Sequence, residues 1–198
     1  KNPFPDLSAD VFLAYSSLSY TLGKHAVAAD YAERGLAALD GRPSLLIRVR
    51  LLRNQARAMA QLGNTTGARA VLKQALDLAA TINDPKLGAE LYLEDARIAR
   101  LTGDVPVQLA NGQRILALAG QLSNSQLKGL GHEVLGLAAL NQGDSAGAER
   151  ELQLAYGSFS ALKLERDERR VLRALIRSML GRNRPLAQIE ALMKRSLA

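Results

Sequence analysis

The amino-acid sequence predicts an all-α fold built from about five stacked helical hairpins. The first support is a glycine that recurs with a period of about 40 residues, at Gly23, Gly63, Gly103 and Gly143. A fixed period of this length is typical of stacked repeats whose unit is one helix-turn-helix. The second support is composition: the apolar residues are mainly Ala and Leu, the strongest helix formers, and no segment alternates β-branched and polar residues as a strand does.

The turn around Gly63 shows the repeating unit. One helix ends at Leu62, Gly63 is expected to take a left-handed conformation, and a polar pair follows. Ala68, Leu72 and Ala75 then mark one face of a second helix. The same pattern predicts hairpins at about 8–40, 44–82, 85–122, 125–162 and 165–198, within one repeat domain of residues 1–198.

In the first hairpin, Ser8 is the expected N-cap, because the prolines at positions 3 and 5 exclude a helix before it. The segment 40–43, with Gly followed by Pro, ends this hairpin. The first helix has an apolar side, expected to face inward, that consists of Phe12, Tyr15, Leu18 and Leu22.

In the later hairpins, Asp84 and Asp104 are expected to cap helices that begin just after them. Gln108 stands where the other hairpins have Ala, and Gly112 falls within a helix, so we expect looser or shifted packing there. The period places a fifth turn at residue 183, in an irregular segment without glycine at that position.

Small residues and leucines recur at regular spacing around the turn glycines of the second and fourth hairpins. They are Ala56, Gly63, Ala68, Leu72 and Ala75 in the second, and Leu135, Gly136, Gly143, Ala148, Leu152 and Ala155 in the fourth. With this pattern the chain resembles the tetratricopeptide-repeat (TPR) superfamily over nearly its whole length. The resemblance implies a right-handed α–α superhelix that binds proteins or peptides on its concave face, without enzymatic activity.

The repeat period is longer than the commonest one in that family, and no consensus proline closes the repeats. The chain in this respect resembles the repeat regions of bacterial regulators, including diguanylate cyclases and LuxR-type or MalT-like activators. The alternative function is therefore a sensory or regulatory input domain of a multidomain bacterial signalling protein.

The family resemblance implies that groove residues lie thirteen, ten and six positions before each turn. Counting back from Gly63 and from residue 183 gives an arginine at every one of these positions. The six candidate partner-binding residues are Arg50, Arg53, Arg57, Arg170, Arg173 and Arg177.

Two interpretations of these arginines stay open. Guanidinium groups on a groove wall bind carboxylates or phosphates, which favours an acidic peptide, a free C-terminal carboxylate or a phosphorylated ligand. In the alternative they form a solvated face with exposed ion pairs worth ~0–1 kcal/mol each. Glu90 and Glu94 would then neutralise the arginines of the second hairpin, and Glu165, Asp167 and Glu168 those of the fifth. If the groove binds a partner, reversing Arg53 and Arg57 to Glu should abolish capture without loss of helicity.

Other functions find little support. The absence of cysteine excludes disulfides and thiolate metal sites, and His25 and His132 lie in different hairpins, so we expect no metal, cofactor or catalytic site. The net charge of +7 allows nucleic acid, but the few aromatic residues are too scattered to stack bases, so nucleic-acid binding is not expected. No apolar run approaches the ~18 residues of a membrane helix, so no membrane insertion is expected.

The last helix is amphipathic, with Leu186, Ile189, Leu192, Met193 and Leu197 on one side. Two interpretations of this face stay open: it forms a homodimer or docks to an adjacent domain, or it packs only on the first helix of the fifth hairpin. Because the sequence starts with Lys1 rather than Met, we interpret the chain as a fragment or processed form of a longer protein. Its composition suits the cytoplasm, which is slightly favoured, and also a periplasm.

Overall fold

The computed structural model describes residues 5–39 and 44–197, which form ten α-helices and no strand. The all-α fold is confirmed, and the ten helices fit the five predicted hairpins. None of the described helices is both long and apolar enough to span a membrane. The helices are α1 Pro5–Thr21, α2 His25–Ala38, α3 Leu45–Gln61, α4 Thr65–Ile82, α5 Pro85–Thr102, α6 Val105–Gln121, α7 Ser125–Asn141, α8 Ser145–Ala161, α9 Glu165–Gly181 and α10 Leu186–Leu197.

The chain divides into two compact units, the first ending at Thr102 and the second beginning at Gly103. In the first unit, α1 to α5 each pack on the next helix along the chain, and α3 also contacts α1 and α5. In the second unit, α6 to α10 pack in the same sequential way, and α7 contacts α9. The single repeat domain over residues 1–198 stays a prediction.

The turns within the hairpins obey the predicted period. Gly23, Gly63, Gly103 and Gly143 have φ angles between 71° and 88°, a left-handed conformation that glycine adopts without steric cost. The fifth turn, predicted at residue 183, is confirmed, because Asn183 adopts φ 50°. Asparagine is a residue that tolerates this conformation in place of glycine.

The connections between hairpins contain a second set of left-handed residues. Asn83, Ser123 and Lys163 have φ angles of 53°, 48° and 55°, and they are spaced by the same period as the turn glycines. Both kinds of corner therefore repeat with one period, and in the described ranges glycine is left-handed only in the first kind.

Side-chain caps start several of the helices. Asp84 accepts hydrogen bonds from the backbone N–H groups of Lys86 and Leu87 at 2.9 and 3.1 Å, and Asp104 accepts one from Val107 at 3.3 Å. Both predicted caps are confirmed. Equivalent caps are made by Asn64, Asn124 and Asp144.

The first hairpin departs from two expectations. Helix α1 begins at Pro5 rather than after Ser8, because proline at the first helical position lacks only an N–H that the helix leaves unpaired anyway. Tyr15, Leu18 and Leu22, expected to face inward, are each at least half exposed. The predicted end of this hairpin at 40–43 lies outside the described residues.

The packing at Gly112 is close, so the first of the two expectations, looser packing, is wrong. A Cβ atom at this position would lie 2.6 Å from Cδ2 of Leu135, so only glycine lets α6 approach α7 this closely. Gln108 is buried in the same unit, and its Oε1 accepts a hydrogen bond from Nδ2 of Asn141 at 3.3 Å. Where the other hairpins have alanine, this one thus has a glutamine with a polar partner on α7.

Candidate functional site

Polar side chains of successive odd-numbered helices meet at a sequence separation of 37 residues. Asn54 on α3 donates a hydrogen bond to Oγ of Ser17 on α1 at 2.9 Å. Arg170 on α9 donates two hydrogen bonds to Glu133 on α7. The separation is three residues shorter than the repeat period. A residue on one odd-numbered helix therefore contacts, on the next, the residue three positions before its own repeat equivalent. We call this set of contacts the inter-hairpin ladder.

Two of the predicted arginines on α3 belong to the ladder. Arg53 pairs with Glu90 of α5, and Nε of Arg57 lies 3.2 Å from Oε2 of Glu94. The guanidinium of Arg57 also lies 4.0 Å from the ring centroid of Tyr20 on α1, at the same sequence separation. The expected neutralisation by the two glutamates therefore occurs, but the Glu94 side chain is only 6% exposed, so this pair is buried rather than solvated.

Arg170 on α9 is held from two sides. Its Nε and Nη2 donate to the Glu133 oxygens at 2.5 and 2.6 Å, and Nη1 lies 2.5 Å from Oδ1 of Asp167. These hydrogen bonds, first of all those with Glu133, raise the pKa of Arg170. Asp167 was recognisable in the sequence as a neighbour one turn away, whereas Glu133 was not, because it lies in another hairpin.

The other three predicted arginines are exposed. Arg50 on α3, and Arg173 and Arg177 on α9, make no ion pair with any residue that the structure describes. The six predicted residues thus divide equally between ladder contacts and free cations. Their role in partner binding stays a prediction. Reversing Arg53 and Arg57 would also place new carboxylates beside Glu90 and Glu94, so that change would disturb the fold as well as the surface.

A polar cavity of about 260 Å³ lies in the first unit, where α1, α3 and α5 approach their C-terminal ends. Three arginines and one glutamate contribute formal charge, an excess of two positive charges. Of the six predicted residues, Arg57 lines this cavity. The full lining is Tyr20, Arg57, Ala60, Gln61, Glu94, Arg97, Ile98, Arg100 and Leu101.

Glu94 organises the charged wall of the cavity. Its Oε2 lies 3.2 Å from Nε of Arg57 and 3.1 Å from Nη1 of Arg97, so one buried carboxylate holds two guanidinium groups. Arg100, one turn further along α5, is exposed and makes no ion pair within the described ranges. Sequence reasoning missed Arg97 although its signal was present, since it lies six positions before Gly103, as Arg57 does before Gly63.

Comparison with known proteins identifies the architecture. No protein-family model and no curated protein matches the sequence. Two crystal structures from Podosopora anserina match, both of a chain described as a kinesin light chain with nearly identical TPR-like repeats. The first has a TM-score of 0.77 at 16% identity and covers 99% of this chain and 95% of its own. The second has a TM-score of 0.72 at 16% identity, with 94% and 92% covered.

The chain has a TPR-like fold. At 16% identity the likeness shows the fold alone. In this TPR-like chain the odd-numbered helices come first in their hairpins, so the ladder and the polar cavity are both built on first helices. The narrower resemblance to the repeat regions of bacterial regulators stays a prediction, as does the alternative function that it implies.

A second cavity of about 430 Å³ lies in the second TPR-like unit, around the connection from α6 to α7. Lys128 and His132 are its titratable side chains, and Nδ1 of His132 lies 2.8 Å from Oε2 of Glu151 on α8. His132 therefore has an acidic partner on the neighbouring helix of its hairpin. In the described part of the chain, no three His, Cys, Asp or Glu side chains form a group able to hold a metal.

The last helix keeps part of its apolar face uncovered. Ile189 is buried against the core of the second unit, whereas Leu186 and Met193 are 71% and 47% exposed. The predicted homodimer or docking to an adjacent domain through α10 stays a prediction.

Proposed function

We propose that this TPR-like chain is a non-enzymatic protein-interaction scaffold that binds an acidic peptide segment in its first unit. The peptide lies along α3 past Arg50 and places a carboxylate in the cavity near Arg100. TPR-like folds are typically non-catalytic scaffolds, and the chemistry of the cavity agrees with that role. The observation that carries the proposal is a cavity with three guanidinium groups and a single carboxylate.

The three arginines would act differently. Arg57 and Arg97 are positioned by Glu94, and Arg57 also by the ring of Tyr20, so little side-chain entropy remains to be lost when a ligand binds. Arg100 has no such anchor and is free to donate its hydrogen bonds to the ligand. A carboxylate accepts paired hydrogen bonds from a guanidinium group. Because both groups are charged, each of these bonds is about twice as strong as one between neutral groups.

The helix ends provide a competing explanation of the cavity. Each of α1, α3 and α5 carries a partial negative charge of up to about half a unit at its C-terminus, which itself attracts arginine. Three such ends amount to roughly 1.5 negative charges, against an excess of two positive side-chain charges. The net charge of the cavity therefore stays positive but small. A small net charge attracts an anion only weakly at long range, so it favours an anionic ligand that makes direct hydrogen bonds.

Fluorescence anisotropy with a labelled glutamate-rich peptide, and with its glutamine counterpart, tests the proposal. We expect the acidic peptide to bind more tightly and the advantage to shrink as salt is added. Arg100→Glu should weaken its binding by about tenfold or more, or ~1.4 kcal/mol. Lys73→Glu makes the same change of charge at an exposed site on α4 and should have little effect on the affinity for the acidic peptide. Equal affinity for the two peptides, or equal effects of the two substitutions, would refute the acidic groove.

A further inference from the structure

The outer side of α1 carries an exposed apolar stripe. Val11, Ala14, Tyr15 and Leu18 are all exposed, and their spacing of i, i+3, i+4 and i+7 puts them on one face of the helix. Val11 is 45% exposed, Tyr15 50% and Leu18 54%. A helix in a soluble protein usually turns such a stripe toward another element.

The repeat period shows that the first and last positions of this stripe are buried wherever a hairpin precedes them. The positions one, two, three and four periods after Val11 are all buried, and so are those after Leu18. They are Leu51, Leu91, Gly131 and Val171 for the first, and Ala58, Ile98, Ala138 and Ser178 for the second. The exposure of α1 therefore reflects a missing neighbour and not a change in the character of the helix.

The element that covers these positions is the second helix of the preceding hairpin. On α3, Leu51 packs on Gly35 of α2 so closely that an added Cβ would lie 2.6 Å from Cδ2 of the leucine. On α7, Gly131 faces α6, where an added Cβ would meet Leu116 Cδ2 at 2.7 Å. In both cases a first helix packs tightly against the preceding second helix, with a glycine at the point of contact.

The sequence around the start of α1 also keeps the register of a connection between hairpins. Helix α1 begins at Pro5 and α5 begins at Pro85, two periods later. Leu7 stands in register with Leu87 and Leu127, which are both buried near the start of their helices. The start of this helix therefore has the features of one that follows another hairpin.

We infer that the stripe Val11–Leu18 docks the second helix of a further hairpin, and that one further repeat encoded ahead of Lys1 supplies it. The period places the contact residue of that helix one repeat before Gly35. This inference depends on the burial pattern and is independent of the proposed peptide site.

The chain has no cysteine, so a single introduced thiol reports the accessibility of this face. We would compare Leu18→Cys in the chain of residues 1–198 with the same substitution in a chain extended upstream by one encoded period. Labelling in the extended chain should slow by about tenfold or more, because it then requires local opening of a packed interface. Leu154→Cys, on the exposed side of α8, serves as the control and should label equally in both chains.

Equal labelling of residue 18 in the two chains, or an upstream coding sequence without a helical hairpin, would overturn the inference. Protection that instead appears in the short chain as its concentration rises, with a doubled mass by light scattering, would assign the face to a second copy and would also overturn it. Leu18→Asp gives an independent readout: it should lower the Tm of the extended chain but leave that of the short chain unchanged.

Discussion

Glu133 and Arg170 are joined by two hydrogen bonds across α7 and α9, although 37 residues separate them in the chain. The same separation joins Arg53 to Glu90 and relates Arg57 to Glu94. Arg53–Glu90 and Glu133–Arg170 occupy the same pair of positions in different hairpins, and Arg57–Glu94 lies one turn further along α3 and α5. The ladder thus links neighbouring repeats through side chains as well as through their apolar cores.

Replacing Glu133 by Gln should destabilise the second unit. The change removes the charge that satisfies two hydrogen bonds of Arg170, and Glu133 itself is largely buried. Because Arg170 is about one-third exposed, we expect a loss of about 1–3 kcal/mol in the free energy of unfolding, less than for a fully buried pair. Urea denaturation measures it. The control is Glu165→Gln, at an exposed pair with Arg169, where a change below about 0.5 kcal/mol is expected. Equal losses in the two variants would show that the ladder pair adds nothing.

Glu149 should make stability depend on pH in the acid range. Burial raises the pKa of its carboxyl, but the hydrogen bonds and charges of Arg184 and Arg182 outweigh burial and leave the pKa lowered. A carboxyl with a lowered folded-state pKa stabilises the protein above its unfolded value, ~4.3 for Glu, and loses this contribution as the pH falls through the lowered value. Glu149→Gln should therefore flatten the decline of Tm between neutral and acid pH. An unchanged slope would exclude Glu149 as a source of acid sensitivity.

The backbone corners could be predicted from the sequence because they depend on local geometry. A left-handed residue is required at the end of a helix that turns back on itself, and glycine marks that position in four hairpins. Even Asn183, where glycine is absent, could be located by counting one period from Gly143. Ser123 and Lys163 could not be found as left-handed residues, because their side chains give no sign of the conformation, whereas Asn83 is of a type that tolerates it.

The environment of the candidate site could be predicted only in part. The sequence offered Glu90 and Glu94 as partners for the arginines of α3, but it did not show that Glu94 is buried or that Glu133 binds Arg170. The reason is physical: an ion pair depends on the offset between neighbouring helices, which the packing of large and small side chains sets. The polar cavity near Arg57 depends on that same offset, so it too was beyond the sequence pattern.

Gly112→Ala should destabilise the chain, whereas Gly157→Ala should stabilise it. Both glycines lie within helices, where alanine is intrinsically favoured by about 0.8–1 kcal/mol. At Gly112 the new methyl group would lie 2.6 Å from Leu135, an overpacking that costs typically about 1–3 kcal/mol, while nothing lies within 4 Å at Gly157. The two unfolding free energies should therefore differ by about 1–3 kcal/mol, measured by urea denaturation. Similar gains at both positions would mean that α6 and α7 separate easily.

Lys163→Gly should stabilise the chain, although glycine usually weakens a folded protein. Lys163 has φ 55°, a conformation that costs an L-residue about 1–2 kcal/mol but costs glycine nothing. The greater freedom of glycine in the unfolded chain offsets about 0.4–1 kcal/mol of that gain, which leaves a net gain of roughly 0.5–1 kcal/mol. Lys73→Gly is the matched control, because this lysine lies within α4, where glycine should instead cost about 1 kcal/mol. Thermal and urea unfolding of both variants should thus give shifts of opposite sign, and a loss at both positions would contradict the steric account of the corner.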